Sequence, residues 1–127
     1  MRPIMVTLAI LLLSACATSG AKGTSSRADR NVITAEEISQ STEHNAYNVI
    51  RVLRPGMLVT RGNTSITHND PGIVVFLDGQ RFGDLSSLQG IEASSLKEIR
   101  YLTASQAQAR FGTGYPQGVI SLTSKAG

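Results

Sequence analysis

The side chains best suited to catalysis or metal binding are His44, His68, Asp70, Asp78 and Asp84. His68, Asn69 and Asp70 put an imidazole and a carboxylate at i and i+2, a spacing that brings two metal ligands together on an extended chain. A zinc site needs at least three protein ligands, and no third donor follows at a matching interval. Asn and Asp side chains bond readily to their own backbone, which suits this trio to the turn ahead of Pro71. Asp78 stands before Gly79, a pairing that marks a tight turn, so it reads as a turn residue rather than a general base. His44 falls in a stretch poor in helix formers and is expected in solvent. Gly112, Gly114 and Gly118 lie in a loop with no lysine placed to hold phosphate, so loop geometry accounts for them. The residues predict no catalytic, cofactor or metal constellation, and the chain reads as a non-enzyme.

Cys16 is the only cysteine. Ahead of it come Arg2, an apolar stretch over residues 4–13 broken only by Thr7, and the small residues Ser14 and Ala15, which together make a secretory signal. The apolar stretch is too short to span a bilayer, which takes about 20 residues. Leu13, Ser14 and Ala15 directly before Cys16 resemble the lipobox of bacterial lipoproteins, whose cysteine is acylated and becomes the mature N-terminus. The resemblance implies a signal peptide over residues 1–15 and a membrane anchor on Cys16. An unpaired thiol is a liability in an oxidising compartment, and acylation removes it. Lipoproteins of this kind carry more than one acyl chain, which gives stable anchoring where one chain does not. Ala17 rather than Asp follows the cysteine, which in enteric-type bacteria favours the outer membrane. Residues 16–31 are small and polar without apolar periodicity and read as a flexible tether spanning roughly 20 Å.

Arg2 is the only charge ahead of Cys16, so of the 12 basic and 9 acidic residues nearly all belong to the exported part. The basic excess is small and scattered. Nucleic-acid binding wants a clustered basic face with interleaved aromatics, and neither is present. The length beyond the tether suits one small domain over residues 32–125.

Thr34 and Glu37 have the spacing of a capping box and predict a helix start. Ile38, Ala46, Val49, Ile50 and Leu53 continue one apolar side, across a stretch at 39–45 poor enough in helix formers to break the helix in two. Pro55 and Gly56 end it, residues 57–60 read as a short strand, and residues 62–72 as a polar loop. Residues 73–77, Ile-Val-Val-Phe-Leu, are bounded by Gly72 and Asp78-Gly79 and suit a central strand covered on both faces, with residues 80–82 folding back beside it. Residues 98–103 alternate, Ile99 and Tyr101 on one face against Arg100 and Leu102 on the other. Ala104, Ala107 and Phe111 take helical spacing, stopped by Gly112 in the left-handed region. Val119 to Thr123 alternates again, with Ile120 and Leu122 sharing a face. The fold class is α+β, a small mixed β-sheet with two or three short helices.

Taken in order, Val74 to Gly79, Ile91-Glu92 with Leu96 to Ile99 and Leu102, Ala104 with Ala107 and Arg110 to Gly112, and Gly118 to Lys125 resemble the plug domain of TonB-dependent outer-membrane receptors. That family shows Val-x-Val-Asp-Gly, Ile-Glu-x-Ile-Glu-Val-Leu, Ala-Ser-Ala-x-Tyr-Gly and Gly-Val-Ile-x-Ile-x-Thr-Lys. Ile33 to Ile38 and Leu53 to Val59 are similar to the two ends of its opening helical segment. Thr103 stands where many plugs have Gly-Pro, and Phe111 where they have Tyr. A transporting barrel needs many amphipathic strands of about ten residues, and none is expected here, so the resemblance implies a plug without a pore. The expected function is an outer-membrane-anchored periplasmic lipoprotein whose plug-like domain acts as a non-catalytic interaction module toward an envelope protein. The alternative is a small-ligand binding or sensing domain associated with TonB-dependent uptake, with the loops at 61–72 and 112–118 as carriers.

Overall fold

Thr34 sets the first helix. Its hydroxyl accepts the Glu37 N–H at 3.4 Å and Glu37 Oε2 accepts the Thr34 N–H at 3.0 Å, the reciprocal bonds of a capping box. The computed structural model describes residues 29–60 and 72–126. The apolar side expected over residues 38–53 is divided between α1 (Ala35–Gln40) and α2 (Ala46–Leu53). Asn45 caps α2 by accepting the Asn48 N–H at 2.9 Å, which satisfies a donor the helix itself leaves unpaired.

A short 3-10 turn at Asp29–Asn31 precedes strand β1 (Val32–Thr34), which three residues make too short to show alternation in the sequence. Strands β2 (Val74–Leu77), β3 (Gln80–Asp84), β4 (Leu96–Leu102) and β5 (Val119–Ser124) complete a five-stranded mixed sheet in the order β1-β4-β5-β2-β3. Only the β2–β5 pair is parallel. The run at 73–77 is covered on both faces as expected, Val75 against one core and Val74 and Phe76 against the other. The middle of the sheet, however, is β5, and β2 lies one place from the edge. β5 takes the centre because its first four residues are all buried, whereas β2 pairs outward with a strand that is almost wholly exposed.

Asp78 (φ +49°) and Gly79 (φ +82°) form the β2–β3 turn, both in the positive-φ region that a two-residue hairpin of this twist requires. A bulge between Val75 and Phe76 leaves Phe82 with no residue opposite it, and Phe82 is 51% exposed.

Two corrections concern local geometry. The strand expected over residues 57–60 is a 3-10 turn, Pro55–Leu58. Pro55 presets the helical φ at its first turn, and the Met57 N–H bonds to the Arg54 carbonyl at 3.0 Å, which turns the Met57 side chain into the core. Gly112 ends α3 (Ala104–Phe111) with positive φ, but its ψ of −169° is extended rather than left-handed helical, a combination that belongs almost entirely to glycine.

The sheet carries helices on both faces. α1 and α2 cover the larger core, in which Ile33, Ile50, Val75, Ile99, Ile120 and Leu122 meet. α3 covers a smaller one of Val74, Phe76, Leu102, Ala107 and Val119, where Phe76 stacks on Phe111 at 4.0 Å between centroids and meets Tyr115 edge-on at 5.6 Å. Ile99 and Tyr101 pack on the first face and Leu102 on the second, the division expected for β4.

Candidate functional site

Asp78 is built into the hairpin turn. Its Oδ1 accepts the Ser124 N–H at 2.8 Å while its own N–H donates to the Leu122 carbonyl at 2.9 Å, so the turn is tied to the end of β5. The bonds from Ser124 hold its carboxyl below the ordinary Asp range. Asp84 caps the following 3-10 turn, Leu85–Gly90, by accepting the Ser86 and Ser87 N–H groups at 3.1 and 3.3 Å. The Ser86 hydroxyl, with those N–H groups, likewise lowers its carboxyl. His44 is exposed in the α1–α2 connection, and its carbonyl accepts the Ala93 N–H at 2.9 Å. Asp78 and Asp84 flank opposite ends of β3, so the structure does not gather these residues into one site. Among the described residues no group of three or more His, Cys, Asp or Glu could hold a metal ion. Cys16, His68, Asn69 and Asp70, with most of the 61–72 loop, lie outside the described residues.

The 112–118 loop is packed down on the domain. The Tyr101 hydroxyl donates to the Gln117 carbonyl at 2.9 Å, the Gly118 N–H donates to the Tyr115 carbonyl at 3.1 Å, and the Tyr115 ring lies against Phe76.

The surface features of the domain lie elsewhere. Where α2 ends, a depression of about 350 Å³ is lined by Arg30, Leu53, Arg54, Met57, Val59 and Tyr101. Beside it a second, of about 440 Å³, is lined by Glu37, Glu43, Val52 and Leu53. Leu53 belongs to both, and between them Arg54 Nη2 donates to Glu37 Oε1 at 2.7 Å. Burial pushes the Glu37 carboxyl up, but the bond from the Thr34 N–H and the Arg54 guanidinium outweigh it, and the net direction is down. Val52 and Val59 are 57% and 60% exposed. No local period reveals these rims, because the first joins residues 30–31, 53–59 and 101 and the second joins the end of α1 to the last turn of α2. On the α3 face, Arg100 pairs with Glu98 at 2.9 Å in the open, and Arg110 lies over the Phe111 ring at 5.5 Å from its centroid.

No protein-family model, curated protein or solved structure matches the chain. Among the described residues no helix is long and apolar enough to cross a membrane.

Proposed function

We propose that this chain is a lipid-anchored module of the bacterial cell envelope, attached to the periplasmic face of the outer membrane through Cys16, with a plug-like domain that contacts another envelope protein without catalysis. The observation that carries the reading is that the segments resembling the plug pattern are the ones that assemble the fold. Residues 74–79, 96–102 and 118–125 contribute the three inner strands and their turn, and residues 104–112 contribute the helix packed over them. The polar residues first suspected of chemistry within that region, Asp78 and Asp84, have structural bonds that account for them. Contact then falls to exposed charges such as Arg100 and Arg110, which act mainly on encounter and specificity.

Two measurements test this. Mass spectrometry of the membrane fraction should find an N-terminal peptide beginning at acylated Cys16, and Cys16→Ser should leave the precursor uncleaved; a soluble mature protein with a free thiol refutes the anchor. Affinity capture from detergent-solubilised envelopes should weaken with Arg100→Glu or Arg110→Glu and survive Asp78→Asn wherever folding is intact. A folded His68→Ala or Asp70→Ala variant that loses cellular activity, or a stoichiometric metal in the purified protein, refutes the non-catalytic contact reading in favour of ligand binding or catalysis.

A further inference from the structure

We propose that the two adjoining depressions at the end of α2 are the interface of a symmetric dimer, covered by a second copy of this chain that presents the same two depressions in reverse order. The proposal goes beyond the envelope contact described above and stands without the anchor at Cys16.

Among the described residues three large apolar side chains are exposed, and two of them lie on this surface, Val59 on the first rim and Val52 on the second, with Leu53 shared between the depressions. Neither valine belongs to a core. The charges are divided in the same way. The first rim carries Arg30 and Arg54, the second Glu37 and Glu43. Arg54 and Glu37 bind each other at 2.7 Å between the depressions. Among the described residues that leaves Arg30 as the unpaired charge of the first rim and Glu43 as that of the second.

The occupant follows from this division of charge. One positive and one negative group on adjoining rims do not suit a surface of a single sign, and they match a partner that carries the same two groups in reverse order. A second copy does so by symmetry, because in an isologous interface a contact of residue i with residue j is repeated as j with i. A two-fold axis lying in the interface at Leu53 sets Arg30 against Glu43 of the partner subunit, and Val59 against Val52 of the partner subunit, each contact made twice. Both free charges are then paired and both exposed valines covered. The α3 face, with Arg100 and Arg110, lies on the other side of the sheet and stays open to a different partner. The two rims hold fewer than the about 20–30 residues a side of a standard interface, so the dimer is a weak one.

Sedimentation equilibrium of the full chain in density-matched non-ionic detergent tests the proposal, under reducing conditions that keep Cys16, the only cysteine, from linking two chains. The measurement is the same whether or not Cys16 is acylated. The parent chain should dimerise at or below about 1 mM. Arg30→Glu and Glu43→Arg should each weaken dimerisation at least about tenfold, because either one replaces two opposite-charge contacts with two like-charge ones. An equimolar mixture of the two variants should dimerise within about threefold of the parent, since every charge on one chain then meets its opposite on the other, and the double variant in a single chain should do the same. That rescue separates a lost contact from a lost fold. Val52→Ser with Val59→Ser should weaken the dimer as well, with no rescue by either charge variant. A parent chain that stays monomeric up to about 1 mM, single charge variants that dimerise as the parent does, or a mixture no better than either variant alone overturns the proposal.

Discussion

Gly112 and Gly118 have nearly the same φ, +88° and +86°, and opposite surroundings, which separates two contributions to stability that single substitutions usually confound. A Cβ built on Gly112 meets nothing within 4 Å, so Gly112→Ala costs only the strain of its positive-φ conformation, about 1–3 kcal/mol. A Cβ on Gly118 would lie 2.5 Å from the Leu102 carbonyl oxygen and 2.7 and 2.9 Å from the Tyr101 hydroxyl oxygen and Cζ. The carbonyl is backbone of β4, which pairs with β5 directly beyond Gly118, and Tyr101 is held by its bond to Gln117. Neither can yield without disturbing the β4–β5 pairing, so an overpacking cost of about 1–3 kcal/mol or more adds to the strain. Gly118→Ala should therefore cost about 1–3 kcal/mol more than Gly112→Ala. Urea denaturation followed by far-ultraviolet circular dichroism measures both variants on one scale. At roughly 4–8 °C per kcal/mol for a domain of this size, Gly118→Ala should melt at least about 4 °C below Gly112→Ala. If the two lose equal stability, the close approach of β5 to Tyr101 and Leu102 is wrong.

Phe76→Ala should cost about 3–5 kcal/mol, since the ring is 5% exposed and stacked on Phe111, whereas Phe82→Ala should change stability by under about 0.5 kcal/mol; equal effects in a urea melt would refute the assignment of the smaller core. Asp78, Asp84 and Glu37 all titrate below their ordinary values in the folded chain, so the unfolded chain binds protons more readily. Their contribution is present above the unfolded values near about 4 and is lost as the pH falls through the folded ones. Chemical melts at neutral pH and near pH ~3 should show that loss, reduced in Asp78→Asn; an Asp78→Asn profile identical to that of the parent chain would refute the role given to the Ser124 bond. Thr103→Ala removes the side chain that accepts the Gln106 N–H at 3.4 Å and should cost about 1 kcal/mol in the same melts, with no change meaning that the cap contributes nothing.

Much of this fold is written in contacts between near neighbours. Thr34 with Glu37, Asp78 with Gly79 and the alternation from Glu98 to Leu102 each specify a turn, a cap or a face through bonds and side-chain directions that span at most a few residues. Those features were legible without a tertiary structure because their physics is complete within the segment. Pro55 was read correctly as the end of a helix, but the strand expected after it was not formed. Burying Met57 in the core and closing the Arg54–Met57 bond favour a turn there, and the partners that bury Met57 lie far away in sequence.

The composition of the larger core, the place of β5 at the centre of the sheet, the Phe76, Phe111 and Tyr115 cluster and the meeting of Arg30 with Val59 were decided only by folding. Each depends on which of several apolar surfaces bury one another, a sum over residues as distant as Arg30 and Tyr101 that no local period records. The sequence by itself determined most of the elements and the tight turn, because backbone bonding and side-chain direction act over a few residues. The tertiary structure alone decided strand order and which side chains share a surface, because burial acts between segments whatever their separation along the chain.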